Sequence, residues 1–470
     1  MNKLLYLYFI SILLFLNVFI YGEVIVYQGV ADDPSLETAW KNGALLNQTL
    51  AQLQPGDELL FPNVTIYLVG GIIANNLQSV TLRFDGTLIF TDNTHSWPKT
   101  ENGQVLECFQ FNNFVNVTLT SSHQGLLDGQ GEAWWGLLGY VEYQENRPRM
   151  LSMGNSKDIL LENLYFKNSP YWTVWIYNVD GLEIRYSHIS NRRNDYDGHD
   201  DYNMEAFNTD GFDVTGKNVW IHDCTVWNQD DCIAVKDGSE NMLIERVNAS
   251  GVGLTIGSIG GSDVRNITFR DCYMHKTFKG IYMKFRGDGL ITDVLYENIV
   301  IYQPEQWATW IGPAQQADNV DICLPAPCSL CWPMIPFAEC NMPNNASYID
   351  ITLRNIEIID PKKTGVIIGS ETNPMINITF DNVVVQNAPS NYFECKNVQS
   401  ERKEKKKVIW FKRKLDVVGI IIHISYSYQH QFLFYLLNCS SIIRRINFRV
   451  VFIFDSIGLN RFTLEKVRDR

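Results

Sequence analysis

An apolar residue followed five positions later by a second recurs along this chain at Ile159/Leu164, Ile184/Ile189, Val219/Cys224, Met242/Val247, Ile267/Cys272, Val294/Ile299, Ile351/Ile356 and Ile378/Val383. First members are separated by 25, 35, 23, 25, 27, 57 and 27 residues, so the prevailing period is 23 to 27. One such repeat cannot bury its own apolar face, whereas stacked repeats bury one another's. Each period holds short β-rich segments broken by Asn, Asp and Gly, and no helical periodicity runs through them. The pattern predicts an all-β solenoid, a single-stranded right-handed parallel β-helix whose coils stack at about 4.8 Å. A leucine-rich-repeat solenoid has shorter repeats and a Leu/Asn template that is absent here.

With 470 residues, 46% of them hydrophobic, the chain has ample material for such a core. Lys3, the apolar run Leu4 to Leu16 interrupted only by Ser11, and the small Gly22 read as a cleaved secretory signal over residues 1–22. The run is short for a spanning helix, so no stable membrane anchor is expected. The protein is then extracellular, with the lysosome as the other secretory destination. Asn-X-Ser/Thr sequons such as Asn116, Asn266 and Asn377 fit a secreted glycoprotein, although turns rich in Asn and Thr generate them by chance.

The solenoid domain is expected over residues 23–400. Beyond Ser400 the template stops, and residues 401–470 carry 15 Lys/Arg against 6 Asp/Glu, while residues 1–400 carry 24 against 46. The tail is therefore read as a basic and apolar extension outside the β-helix. An acidic body argues against nucleic acid as partner. It also gives no long-range attraction to a polyanion, so an acidic ligand must be held by local cations.

The two long intervals carry insertions. One runs from Asn191 to Phe207, just ahead of Asp210, and is placed to wall a cleft. The other contains Cys323, Cys328, Cys331 and Cys340 among prolines, with no histidine, and reads as a disulfide-stapled loop rather than a zinc site. Cys224 and Cys272 fall at equivalent inward positions two coils apart. At about 9 to 10 Å from the coil spacing they are beyond disulfide reach and read as buried thiols.

Asp210, in Asn208-Thr209-Asp210-Gly211, and the pair Asp230-Asp231, in Gln229-Asp230-Asp231-Cys232, stand about one coil apart in sequence. Twenty residues return the chain to the same edge one coil later, where the carboxylates converge. Adjacent residues of an extended strand point to opposite faces, so a turn or bulge must bring Asp230 and Asp231 into one cleft. Converged carboxylates titrate together, with at least one proton held tightly. That arrangement suits glycoside hydrolysis, which needs one carboxyl to protonate the leaving oxygen and another to activate water. The competing reading is an Asn/Asp ladder that only satisfies backbone groups in the turns.

From Gly29 to Val398 the chain resembles glycoside hydrolase family 28, the polygalacturonase-like enzymes of the pectin lyase-like β-helix superfamily. The motifs that carry this occur in order: Gly125-Leu126-Leu127-Asp128-Gly129-Gln130-Gly131 with Trp134-Trp135, then the two aspartate motifs, Gly251-Val252-Gly253-Leu254-Thr255-Ile256-Gly257-Ser258, and Gly280-Ile281-Tyr282-Met283-Lys284. The resemblance implies an inverting hydrolase of pectin-type polysaccharide, monomeric, with no cofactor and no metal. It assigns Asp231 as general acid and Asp210 with Asp230 to the attacking water. Lys284, Tyr282, Asn208 and Gln229 fall at substrate-contacting positions. Two residues depart from the pattern: Val252 replaces the histidine of Gly-His-Gly, and Tyr282 replaces an arginine. No cysteine near Ala249-Ser250 is available to pair with Cys232. The departures motivate a second expectation, a catalytically silent polysaccharide-binding β-helix. A calcium-dependent lyase on the same scaffold is a third.

Overall fold

Parallel strand pairing begins at the N-terminal end of the described chain and continues coil upon coil, forming three ladders that recur around the axis. The computed structural model describes residues 22–314 except 144, then 342–388 and 393–399, with short strands at 409–412, 437–438, 448–453 and 461–466. The signal expected over 1–22, apart from Gly22, and the four-cysteine loop lie outside the described residues. Among the described residues no helix is long and apolar enough to cross a membrane.

Six strands of one ladder position the functional site: β1 (Val174–Arg185), β2 (Phe212–His222), β3 (Asp231–Val235), β4 (Gly253–Ile259), β5 (Lys279–Phe285) and β6 (Trp307–Pro313). Their inward positions Ile176, Val214, Val235, Ile256, Met283 and Ile311 are in register and buried. Burying an aliphatic side chain of this size contributes about 1.5–3 kcal/mol, so one column of the core supplies much of the stacking energy. Pairwise ring contacts add to it, as between Phe269 and Tyr296, whose centroids are 4.5 Å apart. Outward positions of the same strands, Trp175, Asp213, Ala234, Thr255, Tyr282 and Trp310, form the facing column. A parallel β-helix thus places residues distant in sequence side by side on one groove floor.

The apolar repeat holds with one slip. Ile159 pairs with Leu182, and Leu182 with Val219, so the counterpart of Ile159 is Leu182 and not Ile184. The second inward slot of that coil is Ser187, fully buried, whose backbone oxygen accepts from Thr225 in the next coil. A hydroxyl survives there because Ser187 Oγ donates to the Arg185 carbonyl at 3.0 Å. Cys224 and Cys272 do the same to His222 and Arg270 at 3.2 Å. A polar residue in an inward slot shifted the apolar pattern by two positions. Both cysteines are buried and free, as expected, and so is Cys232.

An asparagine ladder does exist, but elsewhere. Asn218, Asn241 and Asn266 occupy left-handed turn positions, with Asn266 donating to Asn241 at 2.7 Å. Asn377 donates to Asp350 at 2.8 Å. Several sequon amides are therefore engaged in turn contacts. Asp210, Asp230 and Asp231 are outside this ladder.

The longest helix among the described residues went unpredicted. Helix α1 (Leu36–Leu50) is capped by Ser35, whose side chain accepts from the Thr38 amide, and it buries Leu46 and Leu50. It covers the N-terminal end of the stack, where an open strand edge would otherwise face solvent. At the other end, Ile409–Lys412 pairs in parallel with Val383–Gln386, and Leu437–Asn438 with Phe393–Glu394.

Candidate active site

Asp210 precedes β2, and Asp230 and Asp231 lie where β3 begins. One carboxylate oxygen from each lies within 4.8 Å of the others. The expected bulge is present: Asp231 pairs with Gly253 and Ile233 with Leu254, which leaves Cys232 as the extra residue. Asn228 pins this turn, its amide donating to the Thr209 carbonyl at 2.8 Å and to the Asp231 carbonyl at 2.9 Å.

The glycines around Val252 follow from the same crowding. A side chain at Gly251 would meet Asn228 Oδ1 at 2.1 Å and the Asp230 carbonyl at 2.7 Å, while Gly253 adopts φ +114°. Val252 itself donates its amide to the Asp230 carbonyl at 2.7 Å, and its half-buried side chain packs on the core.

The three carboxyl groups have different surroundings. Asp231 is buried and accepts at both oxygens, from Thr255 Oγ1 at 2.8 Å and from Lys284 Nζ at 2.8 Å. Asp230 accepts from the Asp231 amide at 2.8 Å, with the Asn208 amide at 3.5 Å. Burial, and then the Asp231 charge, push Asp230 up to about 6. Asp210 is buried with no hydrogen-bond partner on Oδ1, and burial followed by the Asp230 charge holds its proton well above the usual carboxylate range.

Balancing cations surround this cluster. Burial pulls Lys284 down, but Asp231 beside it outweighs that and leaves it above the ordinary lysine value. Lys236 faces Asp213 at 3.2 Å. Arg147, 2% exposed, donates to Asn208 Oδ1 at 3.2 Å and lies against the Tyr171 and Phe207 rings. On the N-terminal side, Arg149 sits over Trp172 at 4.6 Å and Trp175 at 4.3 Å. Half-buried indoles beside a cation are suited to the face and charge of an acidic sugar.

The expected substrate contacts separate on inspection. Lys284 lies in the cluster, bonded to Asp231. Asn208 bridges Arg147 and Asp230. Tyr282 is buried, with Lys284 Nζ 4.4 Å from its ring centroid and Lys279 Nζ 4.7 Å. Gln229 is buried, and its Oε1 lies 2.9 Å from His199 Nδ1 of the 191–207 insertion, which reaches over it. His199 Nε2 meets Ser250 Oγ at 3.1 Å, and burial pushes this imidazole down to about 4, so it is neutral. Asp197 of the same insertion pairs with Lys276 at 2.6 Å. The insertion thus contacts three successive coils.

Sequence reading missed Asp213, Lys236, Arg147, Thr255 and Lys279. Strand alternation at Phe212-Asp213-Val214 carried a signal for Asp213, since its neighbours are both inward. Three carboxylate oxygens this close would also fit a hard divalent cation. The Lys284 ammonium on Asp231 and the Lys236 ammonium on Asp213 already supply positive charge there.

Residues 62–306 match the family described as "Glycosyl hydrolases family 28". Endopolygalacturonase A of Aspergillus niger is 31% identical over 222 residues, covering 46% of this chain and 56% of that protein. The exopolygalacturonase of Cochliobolus carbonum is 24% identical over 388 residues, covering 76% of this chain and 81% of that one. The chain thus spans little more than half the length of the endo-acting relative. In fold it is similar to the exopolygalacturonase of Thermotoga maritima, at TM-score 0.58, 16% identity and 85% and 94% coverage of the two chains. The polygalacturonase of Erwinia carotovora gives TM-score 0.57 and 19% identity, with 81% and 96% covered. With the match spanning just over half of its residues, this parallel β-helix belongs to glycosyl hydrolase family 28.

Proposed function

We propose that the protein is a secreted hydrolase of galacturonan-type pectic polysaccharide, acting by single displacement. The observation that carries this is the convergence of Asp210, Asp230 and Asp231 beside Lys284, on the groove floor of a family 28 β-helix. Membership of the family, and the polygalacturonases among its relatives, support the reaction and the substrate class.

The surroundings argue for a different division of labour from the one expected. Asp231 uses both oxygens as acceptors, and protonating it would remove the charge that the Lys284 ammonium meets and turn the Thr255 hydroxyl from donor to acceptor. Asp230 carries its proton up to about 6, so the general acid is Asp230 and not Asp231. Asp231, held by Lys284 and Thr255, receives the water proton, while Asp210, which keeps its own proton, only positions the water. Asn208 orients Asp230, and Arg147 anchors Asn208.

One observation favours retention of configuration instead. Oxygens within 4.8 Å of one another are closer than the about 6.5–9.5 Å common in inverting pairs and nearer the about 5–5.5 Å of retaining ones. The donor set outweighs the spacing: a nucleophilic Asp231 would have to surrender the Lys284 and Thr255 bonds, and Asp210 is held protonated. A water seated between Asp210 and Asp231 needs neither change.

The test is incubation with polygalacturonan with and without chelator. New reducing ends that survive chelator, and that vanish in Asp230→Asn, support the reading. Unsaturated ends lost with chelator would replace it by a lyase. A folded protein that binds the polymer without cleaving it would be the silent binder that Val252 and Tyr282 motivate.

A further inference from the structure

Lys279 opens β5, two coils beyond β3, and among the described residues it is the one lysine that is fully buried, at 2% exposure. That depth matches the groove floor, where Asp231 is 1% and Asp210 4% exposed. Its neighbours each have an acid: Lys284 pairs with Asp231 at 2.8 Å, Lys236 with Asp213 at 3.2 Å and Lys276 with Asp197 at 2.6 Å. Lys279 Nζ donates instead to a neutral acceptor, Gln306 Oε1, at 3.0 Å. Its ammonium lies 4.7 Å from the ring centroid of Tyr282, the same ring that Lys284 approaches at 4.4 Å.

A buried ammonium bonded to one amide oxygen has protons to spare and a desolvation cost that its neighbours offset only in part. Burial first, and then the Lys284 charge, push it down to about 7, against smaller opposing effects of Asp231 and Asp230. Among the described residues, those three charges, the neutral Gln306 and the Tyr282 ring surround it. A carboxylate arriving in the groove would supply the missing partner and take a charge-assisted bond in a dry site.

We propose that Lys279 is a second anion-recognising cation of this groove, one that binds the carboxylate of an acidic sugar two coils past Asp231 and so makes the enzyme discriminate free galacturonate units from their methyl esters. The proposal rests on the galacturonan reading above and adds to it the residue that enforces the charge requirement. It also accounts for the absence of an arginine at Tyr282: Lys279 reaches the same ring from three residues earlier.

The test measures binding of an oligogalacturonide and of its methyl ester to the catalytically blocked Asp230→Asn protein at pH 6, with and without Lys279→Met. Loss of one charge-assisted bond should weaken the free acid about tenfold to a hundredfold and leave the ester within about twofold. Gln306→Glu keeps the lysine and gives it an internal carboxylate, so it should weaken acid binding in the same direction. Affinity of the parent for the acid should also fall as pH rises through about 7, and Lys279→Met should remove that dependence. If the parent binds the acid and both variants bind it equally well, Lys279 has no such role and the galacturonan reading stands. A folded parent that binds neither sugar would overturn both.

Discussion

Asp230→Asn separates the electrostatic account from a purely structural one. In the folded protein Asp230 stands at about 6 against an ordinary 3.8, a difference of about 3 kcal/mol between its two protonation states. A folded value raised above the unfolded one favours folding below about pH 4, and that contribution is lost as pH rises through about 6. Above it, the ionised carboxylate costs the native state about 3 kcal/mol, through burial and the Asp231 charge. Asparagine keeps the acceptor for the Asp231 amide and removes the charge. The variant should therefore be more stable than the parent by up to about 3 kcal/mol at pH 7.5 and nearly equal to it at pH 4. Urea unfolding followed by tryptophan fluorescence at both pH values reads the difference, with the first transition compared, because a solenoid need not unfold in one step. The same change should lower hydrolysis by about 10² to 10⁴-fold while substrate still binds. Equal stabilisation at both pH values, or a variant less stable at pH 7.5, would refute the assignment of a strained, proton-holding Asp230.

Four further outcomes are expected. The parent's kcat/KM should decline as pH rises through about 6, where Asp230 loses its proton, and a rate flat to pH 8 would count against Asp230 as acid. Lys284→Met leaves Asp231 buried without its cation, and breaking a buried pair costs about 3–5 kcal/mol; thermal melting should show that loss together with a fall in kcat. Tyr282→Arg would place a third cation beside Lys279 and Lys284, so it should destabilise the protein alone and be tolerated with Lys279→Met; equal melting temperatures in both backgrounds would contradict this. Gln229→Ala should lower stability by undoing the His199 contact while KM changes little, which steady-state kinetics on polygalacturonan would check.

The coil repeat and the three aspartates were legible because each is written locally: an apolar pair five residues apart, and motifs about one coil apart. Leu182 was misaligned because its partner slot holds Ser187, whose hydroxyl is satisfied by a backbone carbonyl and leaves no apolar mark. The bulge at Cys232 was foreseeable, since adjacent aspartates need one to share a cleft. Which aspartate holds a proton was not, because burial and the neighbouring carboxylates set it, and both depend on how the coils stack. Lys279 and Lys236 were invisible for the same reason: strand alternation tells which side a residue faces, but not what the next coil places beside it. What meets Gln229 was hidden too, because the 191–207 insertion folds over it and brings His199 Nδ1 to its side-chain oxygen.

The stereochemistry of the first product tests the central claim most directly, because the carboxylate spacing and the donor set point to opposite outcomes. Time-resolved proton NMR of oligogalacturonide cleavage, read before mutarotation, would show the anomer released. Single displacement with Asp230 as acid and water held at Asp210 and Asp231 predicts a new reducing end of inverted configuration. A first product that retains the configuration of the cleaved bond would contradict it and make one of these aspartates the nucleophile.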